Sequence, residues 1–301
     1  MKIQSLQEKF DYQLSLIHSV INATPDLIFY KDYSSVDGEY VGCNEAFCNF
    51  IGKSEDEIIG KNDIELFDQE VGEFFRQKDS EVLNAKTTIV NEEWVDYPDG
   101  RRVCLSTSKT PFYNKDNSLV GIVAFSRDIT DKKDLERYLE YKAHHDPLTN
   151  IPNRIYLEQQ LSLHQQNNNK FAIMFIDLDH FKYINDTYGH DAGDYILIET
   201  TKRMKSIIRK TDIISRLGGD EFVILIDTVS RNILDGIATN IIKLLNKDFI
   251  FQKNILKIGC CIGISLYPTD TDDKEKILTT ADQAMYEVKK SGKNNFKYYD
   301  E

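Results

Sequence analysis

No stretch of this chain stays apolar long enough to span a bilayer. Runs such as FAIMFI at 171–176 are far shorter than the about 20 residues a spanning helix needs. The opening, MKIQSLQEKFDYQLSLIHSV, has neither an apolar signal core nor a small-residue cleavage site, so a cytoplasmic protein is expected. Excess basic charge is missing as well. With 37 Lys and Arg against 49 Asp and Glu, the formal net charge is −12. That balance excludes broad binding to nucleic acid or to an anionic membrane, which rewards net basic surfaces. An anionic small substrate stays open, provided that lysines or arginines gather locally. The five cysteines are odd in number, and none has a second cysteine or a histidine at zinc-like spacing. They are expected as small buried or half-buried side chains, with Cys260 and Cys261 on opposite faces of one strand. No internal repeat is visible, and the one biased patch, QQNNN at 165–169, reads as a loop.

What is present is a globular composition, 41% hydrophobic and 11% aromatic, in 301 residues, which is room for two domains. Leu14, Ile17 and Ile21 give the first twenty residues one apolar helical face. Residues 26–43 alternate as strands around the turn-rich SSVDG. Short helices are expected over NEAFCNFIG, SEDEIIG and 68–85. Three strand-like runs then follow, TTIVNEEWV, RRVCLSTSKTPFY and LVGIVAFSRDI. YPDG joins the first two, with proline presetting one turn residue and glycine accepting positive φ. Trp94, the single tryptophan, is expected in the core or in a pocket wall. The order implies an α+β domain over 1–130, a small sheet with helices on one side.

Residues 131–145, DKKDLERYLEYKAHH, contain no Gly or Pro and align Leu135, Tyr138, Leu139 and Lys142 on one helical face. This is either a short solvated linker helix or a helix that pairs with a copy and carries a signal; two to three turns of pattern fit both. From Asp146 to the end the expected order is strand–helix–helix–strand–strand–helix–strand, preceded by a helix through residue 164. That is again α+β, with helices over one face of an antiparallel-rich sheet.

Asp177 stands where the apolar run FAIMFI ends, and SRLGGDEF at 215–222 places Asp220 and Glu221 at a hairpin tip. If that strand neighbours the hairpin, three carboxylates converge and repel. A hard divalent cation relieves the conflict, and magnesium prefers few protein carboxylates plus phosphate oxygens. Leu178, Asp179, His180 and Phe181 lead into a helix whose first N–H groups could cradle phosphates. Lys182, Lys289 and Lys293 supply cations. Each feature alone has an ordinary reading: a hairpin turn, a helix cap, a basic helix end.

In their order, DPLTNIPNR, FIDLDHFKYINDTYGHDAGD, SRLGGDEF, GISLYP, ADQAMY and KKSGKNN resemble the GGDEF domains, the diguanylate cyclases, across 146–301. ATPDLIFYKD, NEAFCNFIGKSEDEIIGK, the strands around PDGRR and SRDITDKK are similar to a PAS sensor domain. The first resemblance implies a fold like the nucleotide-cyclase palm and the condensation of two GTP into cyclic di-GMP and two pyrophosphates. It implies two magnesium ions per site, or manganese, held by Asp177, the Leu178 carbonyl, Asp220 and Glu221. Asp220 would serve as the base, Asn185 and Asp194 would read guanine, and Lys289 and Lys293 would hold the β- and γ-phosphates. One domain holds one GTP, so a homodimer is implied. RKTD at 209–212 matches the RxxD product site, with Arg209 and Asp212 binding cyclic di-GMP as feedback inhibitor; its ordinary reading is a solvated ion pair at a helix end. NIPNR departs from the commoner G-L-P-N-R, and Lys293 stands where arginine is commoner, losing a bidentate fork. The alternative function is an inactive GGDEF domain that serves as a receptor for GTP or cyclic di-GMP. No residue names the sensor ligand: His18, in the leading helix, is the PAS half's one histidine, and no flavin-adduct cysteine motif is present.

Overall fold

Alternating apolar and polar residues become antiparallel sheet in the first half of the chain. The computed structural model describes residues 6–34, 38–96 and 100–299, in two compact units that meet between Arg137 and Tyr138. The first unit begins with α1 (Leu6–Ile21), β1 (Leu27–Asp32) and β2 (Glu39–Cys43). Four helices follow: α2 (Glu45–Ile51), α3 (Glu55–Ile58), the single turn α4 (Asp63–Leu66), which had no counterpart in the sequence reading, and α5 (Gln69–Ala85). Then come β3 (Ile89–Asp96), β4 (Arg102–Tyr113) and β5 (Leu119–Asp128). The strand order is β2-β1-β5-β4-β3 with every neighbour antiparallel. Of the expected turns SSVDG and YPDG, residues 35–37 and 97–99 lie outside the described residues. Phe29, Leu105 and Ala124 on the inner sheet face pack against Tyr40, Phe47, Phe50 and Ile58.

The same inner face carries charge further along its strands. Lys31, two residues past Phe29, donates to Asp63 on α4 at 2.6 and 2.5 Å and to Asp79 on α5 at 2.7 Å. Lys109 on β4 reaches the other Asp79 oxygen at 2.5 Å, and the Tyr40 and Tyr33 hydroxyls donate to Asp63 and Asp79. All four charged side chains are buried. Burial acts to raise the pKa of Asp79, but Lys31 and Lys109 outweigh it and hold the carboxyl below its ordinary range.

Helix α6 (Thr130–His144) has no buried residue, and Leu135, Tyr138 and Leu139 are each 56% exposed. The second unit continues with α7 (Arg154–Gln166), β6 (Phe171–Asp179), α8 (Phe181–Tyr188), α9 (His190–Lys205), β7 (Ile213–Gly218) and β8 (Glu221–Ile226). It closes with α10 (Arg231–Leu245), the short hairpin β9 (Phe249–Phe251) and β10 (Asn254–Leu256), β11 (Gly259–Tyr267), α11 (Lys274–Lys290) and β12 (Phe296–Tyr298). The main sheet runs β12-β11-β6-β8-β7, antiparallel except for the β11–β12 pair.

Helices cover both faces of this sheet, not one as the sequence reading has it. Ala172, Met174, Ile176 and Leu178 of β6 pack with residues of α8, α9 and α10. Phe171, Ile173 and Phe175 face α7 and α11. The continuous burial of β6 is the physical sign, because a strand with one wet face would alternate. Cys260 and Cys261 fall in the two opposite cores, as expected, and all five cysteines are free thiols. Among the described residues no helix is long and apolar enough to cross a membrane.

Candidate active site

Strand register brings the acidic residues together. Asp177 lies directly opposite Glu221 on β8 and Cys261 on β11, so their side chains share the sheet face that α11 covers. The backbone N–H of Leu178 donates to the carbonyl of Asp220 at 3.3 Å, tying the hairpin tip to the end of β6. Gly218 and Gly219, at φ 150° and 51°, make the tip, and neither conformation suits a residue with a side chain.

Helix α11 delivers the cation. Lys289 Nζ sits 2.7 Å from Asp177 Oδ2. Burial pushes the Asp177 carboxyl up; the hydrogen bond from Lys289 pulls it down, nearby Asp220 and Glu221 push it up again, and the balance lies above the ordinary value. Burial acts to lower Lys289, yet Asp177 outweighs it and raises the ammonium's pKa. Gly263 sets the height of α11 over the sheet: a side chain there would meet the Ala281 carbonyl at 1.9 Å and the Met285 nitrogen at 2.3 Å.

An open cleft of about 600 Å³ holds most of the expected residues. Asp177, Leu178, Asp220, Lys289 and Lys293 line it. His180, Phe181 and Lys182 line it too, at the start of α8, where His180 is left-handed at φ 64°. The Phe181 side chain is largely buried. Glu221 lies outside the lining, and so do Asn185 and Asp194. Arg209 and Asp212 stand apart from the cleft, with the Arg209 N–H donating to Asp212 at 2.8 Å.

Among the described residues no three His, Cys, Asp or Glu side chains converge closely enough to hold a metal ion unaided. Asp177 and Asp220, in one cleft that Lys293 also lines, fit an ion that takes few protein ligands and the rest from phosphate.

Three supports were not assigned from sequence. Arg216 on β7 donates twice to the Gly219 carbonyl, at 3.0 and 2.7 Å, and grips Asp146 at 3.0 and 3.2 Å. Asp146 in turn accepts from Thr149, so the loop after α6 is clipped to the hairpin tip. The available signal was a long cation inside a mainly apolar strand. Asp179, 4% exposed, accepts from the Asn294 N–H at 3.1 Å and the Cys261 thiol at 3.3 Å, which fixes the loop bearing Lys293. Gly193 on α9 lies so close to α8 that a side chain there would meet Asn185 Oδ1 at 1.9 Å. That contact sets Asn185 beside the residue preceding Asp194.

Residues 143–295 match the family model described as diguanylate cyclase, GGDEF domain, and residues 21–134 match that of the PAS fold. The bifunctional diguanylate cyclase/cyclic di-GMP phosphodiesterase MucR of Pseudomonas aeruginosa is 38% identical over 168 residues, 54% of this chain and 24% of that protein. The signaling protein YkoW of Bacillus subtilis is 28% identical over 99% of this chain and 36% of its own. The chain thus spans well under two thirds of these curated relatives. In the crystal structure of the diguanylate cyclase SiaD of Pseudomonas aeruginosa with its activator SiaC, a chain 25% identical superposes with a TM-score of 0.50, covering 56% of this chain and 66% of that one.

Proposed function

The chain belongs to the GGDEF diguanylate cyclase family, and on that premise we propose that two copies of it join two GTP into cyclic di-GMP, releasing two pyrophosphates, under control of the PAS-fold unit. The observation that carries this reading is the single cleft in which Asp177 and Asp220 stand opposite Lys289 and Lys293. Such a pairing of signs suits a polyphosphate that arrives with a divalent cation.

In this reading Asp220 takes the proton from the ribose 3′-hydroxyl as that oxygen attacks the α-phosphorus of the other GTP, and pyrophosphate leaves. Lys289 and Lys293 hold the β- and γ-phosphates, and the Leu178–Lys182 backbone at the start of α8 cradles them. Asp177, the Leu178 carbonyl, Asp220 and Glu221 would hold two magnesium ions, or manganese, whose contribution is to neutralise phosphate charge and acidify the hydroxyl. Because each unit binds one GTP, the two sites must face each other across a homodimer. The exposed apolar side chains of α6 are the surface offered for pairing two chains. Arg209 and Asp212 bind the product and slow the enzyme. Arg209→Ala should leave the initial rate unchanged and straighten progress curves that bend as cyclic di-GMP accumulates. Equal bending in wild type and variant refutes that role.

Asn185 and Asp194 read guanine, the amide and the carboxylate together matching its acceptor and donor edge. Gly193→Ala tests this without substituting either residue. The added methyl meets only the far end of the Asn185 side chain, so the helix tolerates it and gains about 0.5–1 kcal/mol. The KM for GTP should nevertheless rise about tenfold, since a displaced amide forfeits hydrogen bonds worth about 1–1.5 kcal/mol. An unchanged KM excludes Asn185 from recognition.

The decisive experiment incubates the full chain with GTP and magnesium and separates the nucleotides. Cyclic di-GMP with pyrophosphate supports the reading. GTP binding without pyrophosphate would make the unit a nucleotide receptor instead.

A further inference from the structure

Beyond the cyclase site, the first unit carries a groove of about 590 Å³ between the end of α2, the turn at Phe67 and Asp68, α5 and the edge strand β3. Its floor is aromatic, built from Phe50, Phe67 and Phe75, and at those rings it opens on a small inner cavity of about 30 Å³. Its rim is acidic: Asp68, Glu70, Glu92, Glu93 and Asp96 line it, and among the described residues no lysine or arginine does. Cations of the chain border the same feature from outside. Lys133 pairs with Glu92 at 2.6 Å, Arg137 stacks 4.8 Å from the Trp94 ring, and Lys78 stands 5.9 Å from the Phe74 ring.

Glu93 is different from the rest of the rim. It is half-buried, lines both groove and inner cavity, and accepts one hydroxyl hydrogen bond, from Thr107 at 3.1 Å. No described lysine or arginine pairs with it. A half-buried carboxylate that meets one hydroxyl and no described ammonium or guanidinium can accept the hydrogen bonds of an incoming cation. At the far end of the inner cavity, Lys31 and Lys109 are already matched by Asp63 and Asp79, so the interior has no call for a second anion. The rings supply the apolar wall, and Phe75 already receives the Lys109 ammonium 5.6 Å from its centroid, on the side of the inner cavity.

We propose that this groove binds a small organic cation, a primary amine on an aromatic or aliphatic body, with the ammonium on Glu93 and the body against Phe50, Phe67 and Phe75. An anion of the same shape meets Asp68, Glu70, Glu93 and Asp96, besides the already paired Glu92, and is rejected. A volume of about 590 Å³ lies within the range of about 300–1,000 Å³ usual for small-molecule sites. The inference does not depend on the cyclase reading, and binding is read without turnover.

Trp94, on the groove's lip and 36% exposed, is the only tryptophan in the chain, so its emission reports on this site alone. The full chain is titrated with 2-phenylethylamine and, separately, with phenylacetate, which has the same ring and opposite charge. A saturable change with the amine, at least tenfold tighter than any change with phenylacetate, is the expected result. Glu93→Gln, nearly isosteric, should weaken the amine at least tenfold with its circular dichroism melt unchanged, and Phe75→Leu should weaken it several-fold. Equal response to both probes, preference for phenylacetate, or no saturable response overturns the proposal. So does full affinity in Glu93→Gln, or binding of oligolysine without binding of the amine, which would make the rim a docking surface for a basic peptide.

Discussion

Asp220→Ala is expected to cut pyrophosphate release from GTP by on the order of 10³-fold or more, with the second unit melting as in wild type. The size follows from the two tasks assigned to one side chain, general base and metal ligand. Intact folding follows from the way Asp220 is held. Its tie to β6 runs through its backbone carbonyl, which accepts from the Leu178 N–H, and alanine keeps that carbonyl. Its neighbours Gly218 and Gly219 continue to make the turn. Glu221→Gln removes one proposed ligand but leaves the base, so its rate should fall less. Measured pyrophosphate release within tenfold of wild type in Asp220→Ala would remove Asp220 from the chemistry.

Lys31→Met is expected to destabilise the first unit by about 3–5 kcal/mol, a large share of the about 5–15 kcal/mol that typically holds a domain together. The buried cluster contains two ammonium groups, Lys31 and Lys109, and two carboxylates, Asp63 and Asp79. Methionine fills the space of lysine yet leaves two buried anions facing one cation. Calorimetry should show one transition moving down steeply while the other stays. Adding Asp63→Asn restores the balance to one of each sign and should recover part of the loss. A first-unit transition unmoved by Lys31→Met would mean that water, not Lys31, balances those carboxylates. Acid acts on the same cluster. Because Asp79 is held below its ordinary pKa, its contribution is complete above the ordinary carboxylate range and is lost as pH falls through the depressed native value. The first unit should therefore lose stability on acidification in wild type.

Much of this fold is legible in the sequence because strand signals here are strong. FAIMFI and FVILI are apolar runs of β-branched and aromatic residues, and Gly-Gly punctuates the hairpin between β7 and β8. The same continuity that announces β6 also announces helices on both faces, yet a pattern of helices after strands suggests only one. The β9–β10 hairpin has three residues per strand, too few for alternation to register. Asp177, Asp220 and Glu221 were singled out through chemistry, since clustered acids require a reason, and the sheet register does set Asp177 opposite Glu221. Arg216, Asp179 and Gly193 were not assigned, because each works through a backbone group or a close approach between elements distant in the chain. No local pattern encodes such contacts; the register of the folded sheet does.

The Arg216 fork has one more consequence. A tip composed of Gly218 and Gly219 would, on composition, be the loosest point of the second unit. Here its carbonyls are held from both sides, Gly219 by Arg216 and Asp220 by Leu178. The freedom of those glycines is therefore surrendered when the chain folds and not when a ligand arrives. Under the proposed function, binding at the tip would start from an already ordered loop, with the conformational entropy that a floppy glycine turn subtracts from affinity settled in advance.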